Sequence, residues 1–180
     1  MRISKLKDTK NYSYLIQFIF WAQKKKYGEI LLPSLIWGRS VFLKLAIQFF
    51  YRAIDRKKNP ISPELRTLLS VFVSKLNGCE FCYDIGVSLA IKRGLDSKKV
   101  ECIKEFERDE RFSQLEKAAL KYALQMTEFG AQVSDEVFET LKKYFTEDEI
   151  IELTAIIAFQ NMSSRFNSAL QIPSQGFCKR

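Results

Sequence analysis

Across the 180 residues, apolar side chains return every three or four positions, and no stretch alternates apolar and polar as a half-buried strand does. That spacing predicts an all-α helical bundle. The helix starts and stops are written into the chain. Ser62-Pro63 places a capping hydroxyl before a proline at the first helical position, launching Leu65, Leu68, Leu69, Phe72, Val73 and Leu76, and Asn77-Gly78 stops that helix. Ser113-Gln114-Leu115-Glu116 and Thr146-Glu147-Asp148-Glu149 are capping boxes, and Ser134 caps a shorter helix between them. A first helix is expected from Tyr12 to about Lys26, closed by Gly28, after a fraying basic segment over residues 1–10. Pro33 is expected to open a second, running to about Ile54, with Leu35, Phe42, Leu45 and Phe49 on its buried stripe and Arg39, Lys44 and Arg52 on its far side. A helix capped by Asp96 or Ser97 carries Cys102 and ends in Asp109-Glu110-Arg111. The last, about Glu147 to Leu170, is apolar on nearly every side, so it belongs at the centre of the bundle or at a subunit contact. Asn161, Arg165 and Asn167 on its second half read as structural tethers, since buried polar groups must find hydrogen bonds. Leu69-x3-Val73-x3-Asn77 returns as Leu153-x3-Ile157-x3-Asn161, too faint a repeat to argue duplication.

The chemistry concentrates in Asn77-Gly78-Cys79-Glu80-Phe81-Cys82-Tyr83-Asp84-Ile85-Gly86, where two cysteines stand three apart at the start of a helix expected to run to Lys92 or Arg93. Unpaired backbone N–H groups at a helix N-terminus favour an anion, so a thiol there ionises more readily than a free one. Residues i and i+3 share a face, so Cys79 and Cys82 can close a small disulfide and reopen it. The competing readings are weaker. Zinc needs four ligands, and the chain has no histidine and only Cys102 and Cys178 to add. A bridge over so short a loop restrains little of the unfolded chain, which disfavours a purely structural disulfide. The motif therefore points to a redox couple that needs no metal or cofactor but requires an external thiol reductant.

Charge divides the chain. Residues 1–58 hold thirteen Lys and Arg against three acids, so they carry +10 and the remainder −2. The polar run Asp55-Arg56-Lys57-Lys58-Asn59-Pro60 ends that block, marking off an N-terminal basic helical arm, 1–58, from a helical core, 59–180, within one domain. The arm is interleaved with Tyr12, Tyr14, Phe18, Phe20, Trp21, Phe49, Phe50 and Tyr51, a composition that can face an anionic surface. No nucleic-acid-binding signature accompanies it, so a solvated basic face over an ordinary core is favoured, nucleic acid is disfavoured and a membrane surface is a secondary option. The uncharged run Asn11 to Gln23 has thirteen residues, where a bilayer needs about twenty. The cysteine usage fits a reducing interior, and a cytoplasmic protein is expected.

Ser62-Pro63-x-Leu65-Arg66 leading into Val73-Ser74-x-Leu76-Asn77-Gly78-Cys79-Glu80-Phe81-Cys82 resembles the alkylhydroperoxidase D-like (AhpD-like) branch of the carboxymuconolactone decarboxylase superfamily. Leu115 to Ala123, Val133 to Glu136 and Glu152 through Asn167 are similar to its later helices, and Tyr27 to Ile54 to its N-terminal part. The resemblance implies an AhpD-like all-α bundle that assembles into a symmetric homo-oligomer, a trimer or hexamer. It implies a dithiol that reduces a hydroperoxide or a partner's disulfide and is itself restored by a lipoylated or thioredoxin-like protein. The family pattern is Glu-x11-Cys-x2-Cys-x3-His, with the second cysteine attacking, so the resemblance assigns attack to Cys82 and resolution to Cys79, whereas a helix-start CxxC by itself makes the first cysteine, Cys79, the more ionised and exposed. The Glu position falls on Thr67 and the His position on Gly86.

A positioned proton relay commonly contributes about 10²- to 10⁴-fold. Without it the expected peroxidase activity is weak, with Glu80, Tyr83 or Asp84 as substitute proton carriers. Lacking histidine, the chain is a poor candidate for decarboxylase chemistry. Two functions follow: a CxxC-dependent antioxidant or thiol–disulfide oxidoreductase with altered proton handling, or a catalytically degenerate scaffold that binds or assembles through its basic N-terminal surface.

Overall fold

The computed structural model describes residues 1–4, 8–128 and 132–179; three residues of the N-terminal basic segment, 5–7, lie outside the described residues. Nine α-helices and no strands occur among the described residues, as the apolar spacing predicts. The core helices are α4 (Pro63–Leu76), α5 (Glu80–Lys92), α7 (Gln114–Thr127) and α9 (Glu147–Ala169), with α6 (Ser97–Glu101) and α8 (Asp135–Lys142) as shorter pieces around them. Their caps form as read: Ser62 Oγ accepts from the Leu65 N–H, and Ser113 with Glu116 and Thr146 with Glu149 close both capping boxes. Leu68, Leu69, Val71, Leu120, Leu153 and Ile157 from α4, α7 and α9 are fully buried at the centre. The apolar α9 is thus the spine on which α4, α5, α7 and α8 pack.

Three local expectations change. The segment Asp96–Arg111 is not one helix; α6 ends at Glu101 and a 3₁₀ turn follows over Ile103–Glu105. Val100, Ile103 and Phe106 are its buried residues, and a strict spacing of three is kept on one face by a 3₁₀ turn rather than by 3.6 residues per turn. The N-terminal arm consists of α1 (Tyr14–Tyr27), α2 (Leu32–Trp37) and α3 (Val41–Ile54), so the expected helix from Pro33 to Ile54 is broken. The break lies at Gly38, where an added Cβ would sit 2.9 Å from Ile16 Cγ2 and from the Ser34 carbonyl oxygen; only glycine lets α1 approach so closely. Ser40 then caps α3 as a new start.

The third change is the rotation of α3. Phe42 and Phe49 are 85% and 76% exposed and Leu45 is also exposed, whereas Lys44, expected on the outer side, is 4% exposed. A cavity beneath α3, lined by Lys44, Ile47, Gln48, Tyr51, Arg52 and Asp55, turns that half-polar face inward and leaves the aromatic stripe outside. The arm is held to the core by stacking of Phe50 on Phe159 at 4.9 Å and of Trp37 on Phe166 at 3.7 Å. After α9 the chain reverses at Gln171, φ +50°, and residues 172–179 run back across α5. Among the described residues no helix is long and apolar enough to cross a membrane.

Candidate functional site

Cys79 and Cys82 sit where α4 hands over to α5. Gly78 takes φ +60°, which lets the chain turn sharply, and Cys79 becomes the N-cap of α5. Its sulfur occupies the place of a capping oxygen, accepting from the Cys82 backbone N–H at 3.2 Å. The two residues, with Cα atoms 5.3 Å apart, are joined as a disulfide. The turn is tied to α9: Asn77 Nδ2 donates to Asn161 Oδ1 at 2.7 Å, and Ser168 Oγ donates to the Asn77 carbonyl at 3.2 Å. The two asparagines of the faint sequence repeat therefore meet. Asn161 and Arg165 also anchor Thr127, through its Oγ1 and its carbonyl, so both act as the tethers they were read to be.

The surroundings of the two sulfurs differ in one respect. Cys79 and Cys82 are both buried in an apolar cluster with Ile36, Phe81, Ile172 and Phe177, under the returning C-terminal segment, and of the two only Cys82 also borders a cavity. Cys82 opens onto a cavity of about 550 Å³ bounded by α1, α2 and α3 on one side and by α4, α5 and α9 on the other. Asn167 Nδ2 donates to Cys82 Sγ at 3.1 Å, while its Oδ1 is buried without a hydrogen-bond partner. Asn167 is thus not merely a tether. An amide N–H aimed at sulfur stabilises a thiolate more than a thiol, because the acceptor is then charged.

Thr67 and Gly86 also line this cavity. Thr67 donates to the Pro63 carbonyl and accepts from Arg93 Nη1, each at 2.7 Å. Arg93 in turn pairs with Asp55, which also takes Arg66 at 3.1 Å. At the other position, an added Cβ on Gly86 would come 3.0 Å from Val71 Cγ2, so α4 and α5 have closed over the space a larger side chain needs. At Thr67 there is thus a hydroxyl tied to a backbone carbonyl and to the Arg93 guanidinium, and at Gly86 close helix packing, with no acid or base at either position.

The substitute proton carriers read from the sequence stand apart from the cavity. Glu80 is exposed in the first turn of α5, and Tyr83 lies under Lys75, whose Nζ is 5.5 Å from its ring centroid. Burial raises the Tyr83 phenol, with Cys178 and Glu101 adding to it. Asp84 binds the C-terminal segment: Ser174 Oγ and the backbone N–H groups of Gln175, Phe177 and Cys178 donate to its carboxylate at 2.8–3.0 Å. Burial alone would raise its carboxyl, but those donors outweigh it and hold the group well below the usual carboxylate range. Asp84 in turn pushes the Cys178 thiol up, with burial adding.

Two titratable groups that line the cavity were not singled out as site residues in the sequence: Lys44, which burial lowers to about 8, and Tyr51, whose phenol is raised by burial first and then by Tyr27 and Asp55. The signal was present as Lys44, Gln48, Tyr51, Arg52 and Asp55, a polar stripe at helical spacing on α3. Among the described residues no group of three or more His, Cys, Asp or Glu side chains could hold a metal.

No family model matches the chain. It is 35% identical over 159 residues to the uncharacterized protein YnjA of Escherichia coli (strain K12), covering 88% of this chain and 87% of that protein. The fold is similar to the crystal structure of the debrominase Bmp8, with 25% identity, TM-score 0.81, and 92% and 89% of the two chains covered. A cysteine-to-alanine variant of Bmp8 in complex with 2,3,4-tribromopyrrole aligns with TM-score 0.85 at 23% identity, covering 99% and 94%. An uncharacterized peroxidase-related protein from Ralstonia eutropha JMP134, described as an alkylhydroperoxidase AhpD core, aligns with TM-score 0.84 at 19% identity, covering 98% and 94%.

Proposed function

The chain belongs to the AhpD-like branch of the carboxymuconolactone decarboxylase superfamily, and on that premise we propose that it is a CxxC-dependent thiol peroxidase or thiol–disulfide oxidoreductase of the antioxidant type. The single observation that carries this reading is the position of Cys82: its sulfur is bonded to Cys79, receives the Asn167 amide and borders a cavity large enough for an organic molecule. Cys82 attacks as thiolate. With a hydroperoxide, the sulfur bonds to the terminal oxygen as the O–O bond breaks, giving a sulfenic acid and an alkoxide that takes a proton to leave as an alcohol. The Cys79 thiol then condenses with the sulfenic acid, releasing water and forming the disulfide. A dithiol donor, lipoylated or thioredoxin-like, returns two electrons and two protons.

Thr67 and Gly86 supply no relay, so proton delivery falls to solvent or to the cavity's own groups and turnover is slow. The apolar walls favour an organic substrate over hydrogen peroxide. The outward Phe42 and Phe49 on α3 and Tyr14, Phe18 and Trp21 on α1 support a homo-oligomer in which a second copy covers this face. The protein is proposed to act in the cytoplasm, where a thiol donor keeps the pair cycling.

The test is cumene hydroperoxide consumption with dihydrolipoamide as donor, for wild type, Cys79→Ser and Cys82→Ser. Wild type is expected to exceed both variants, with Cys82→Ser at background. Equal background rates in all three would remove the reading.

A further inference from the structure

The cavity beside Cys82 carries far more positive than negative charge. Lys26, Lys44, Arg52, Arg66 and Arg93 line it against a single carboxylate, Asp55, which is already shared by the two guanidiniums Arg66 and Arg93. Lys26 and Arg52 are exposed, whereas Lys44 is 4% exposed. Its Nζ donates to Ser34 Oγ, and among the described residues no carboxylate pairs with it. A buried ammonium keeps its charge only at a large desolvation cost unless an anion sits against it. Gln23 shares the same hydroxyl, with Nε2 2.6 Å from Ser34 Oγ, and its Oε1 is buried without a partner. The two ends of an amide are nearly isosteric. Turned over, Gln23 accepts from the Ser34 hydroxyl and puts its N–H₂ at the buried, unpartnered position, so Lys44 and Gln23, both tied to Ser34 on the cavity lining, each offer a donor. Phe18, Ile19, Trp37, Ile47, Ile156 and Phe159 supply apolar wall.

We infer that this cavity binds an organic acid, its apolar body lying along those walls, its carboxylate held by Lys44 and the Gln23 amide, and its reacting end toward Cys82. Lys44 is an anchoring residue that positions the substrate; it does not move the electrons. The inference rests on the redox reading only in naming that acid as a substrate, because the binding site itself needs no chemistry. For the reaction proposed above, the preferred substrate class becomes a hydroperoxide that also carries a carboxylate. The excess of cations around the cavity attracts such an anion from solution as well as holding it.

Calorimetric titration of the full chain with decanoate and with decanol tests the site. The expected result is at least tenfold tighter binding of decanoate to wild type, a ratio falling toward one in Lys44→Met and largely kept in Lys44→Arg. Equal binding of acid and alcohol by wild type overturns the inference, as does an undiminished preference in a folded Lys44→Met. The wild-type comparison needs no variant, so it decides the matter even where Lys44→Met does not fold. Turnover of linoleic acid hydroperoxide against its methyl ester separates the two claims. Peroxide consumption without a preference for the acid sinks the anchor alone, whereas decanoate preference without any turnover sinks the redox reading alone.

Discussion

Replacing Asp84 by asparagine changes one atom, an oxygen for an NH₂, at the point where the C-terminal segment is fastened. Oδ2 accepts from Ser174 Oγ at 2.8 Å and from the Gln175 and Phe177 N–H groups at 3.0 Å, and Oδ1 accepts from the Cys178 N–H at 2.8 Å. An asparagine can aim its oxygen at the first three donors only, leaving its NH₂ against the Cys178 N–H. One charge-assisted bond is lost, at about 1.5–3 kcal/mol, and three weaken to neutral ones, each by roughly 1 kcal/mol. Relief of a buried charge offsets part of this, and such terms do not add fully, so the expected net loss is about 2–3 kcal/mol. For a chain of this size that lowers Tm by roughly 5–10 °C.

The pH dependence follows from the direction of the shift. The folded carboxyl lies below its unfolded value, so its contribution is complete above the unfolded pKa of about 3.9 and is lost as pH falls through the folded one. Thermal melts at pH 7 should separate wild type from Asp84→Asn, and the gap should narrow below about pH 4. The same segment covers Cys79 through Phe177 and Ile172, so reduced Asp84→Asn should also alkylate faster at Cys79. Identical Tm at pH 7, or a gap that widens in acid, refutes the clamp.

Asn167→Leu removes the amide on Cys82 and should move the pH profile of iodoacetamide alkylation of the reduced protein at Cys82 to higher pH, because a charged acceptor loses its donor; an unmoved profile shows that the contact does not tune the sulfur. Gly86→Ala sets a helix-propensity gain of about 1 kcal/mol against overpacking of about 1–3 kcal/mol on Val71, which is fully buried. A net loss is expected by urea denaturation, smaller in a Val71→Ala background by at least about 0.5 kcal/mol, whereas strictly additive costs refute the steric account. Lys44→Met should stabilise at pH 7 by up to roughly 3 kcal/mol, since depression from 10.5 to about 8 measures the penalty of burying the charged form. Between about pH 8 and 10 the unfolded chain holds the proton that the folded one has released. Wild type should therefore gain on the variant over that range, and a constant difference from pH 7 to 10 contradicts it.

The elements of the bundle were legible because their signals are local. Capping boxes at Ser113 and Thr146, the Ser62-Pro63 start and the Gly78 stop each satisfy or release backbone groups within four residues, and each forms as read. The same held for the dithiol at the head of α5, where chain geometry alone brings Cys79 to Cys82. Misreadings arose where a distant neighbour decides. The sequence cannot show that Ile16 presses on Gly38 and splits one helix into α2 and α3.

Taken alone, then, the amino-acid order determined an all-helical chain carrying a pair of sulfurs at the start of a helix. Helical period and capping are settled by residues a turn or two apart, so they need no knowledge of the rest. The tertiary structure decided what surrounds the sulfurs. It gave Cys82 rather than Cys79 the cavity, brought Asn167 to it from 85 positions away, spent Asp84 on the C-terminal segment and turned Lys44 inward while Phe42 and Phe49 turned out. A helix with apolar and polar stripes can bury either one; which it buries depends on the helices packed against it.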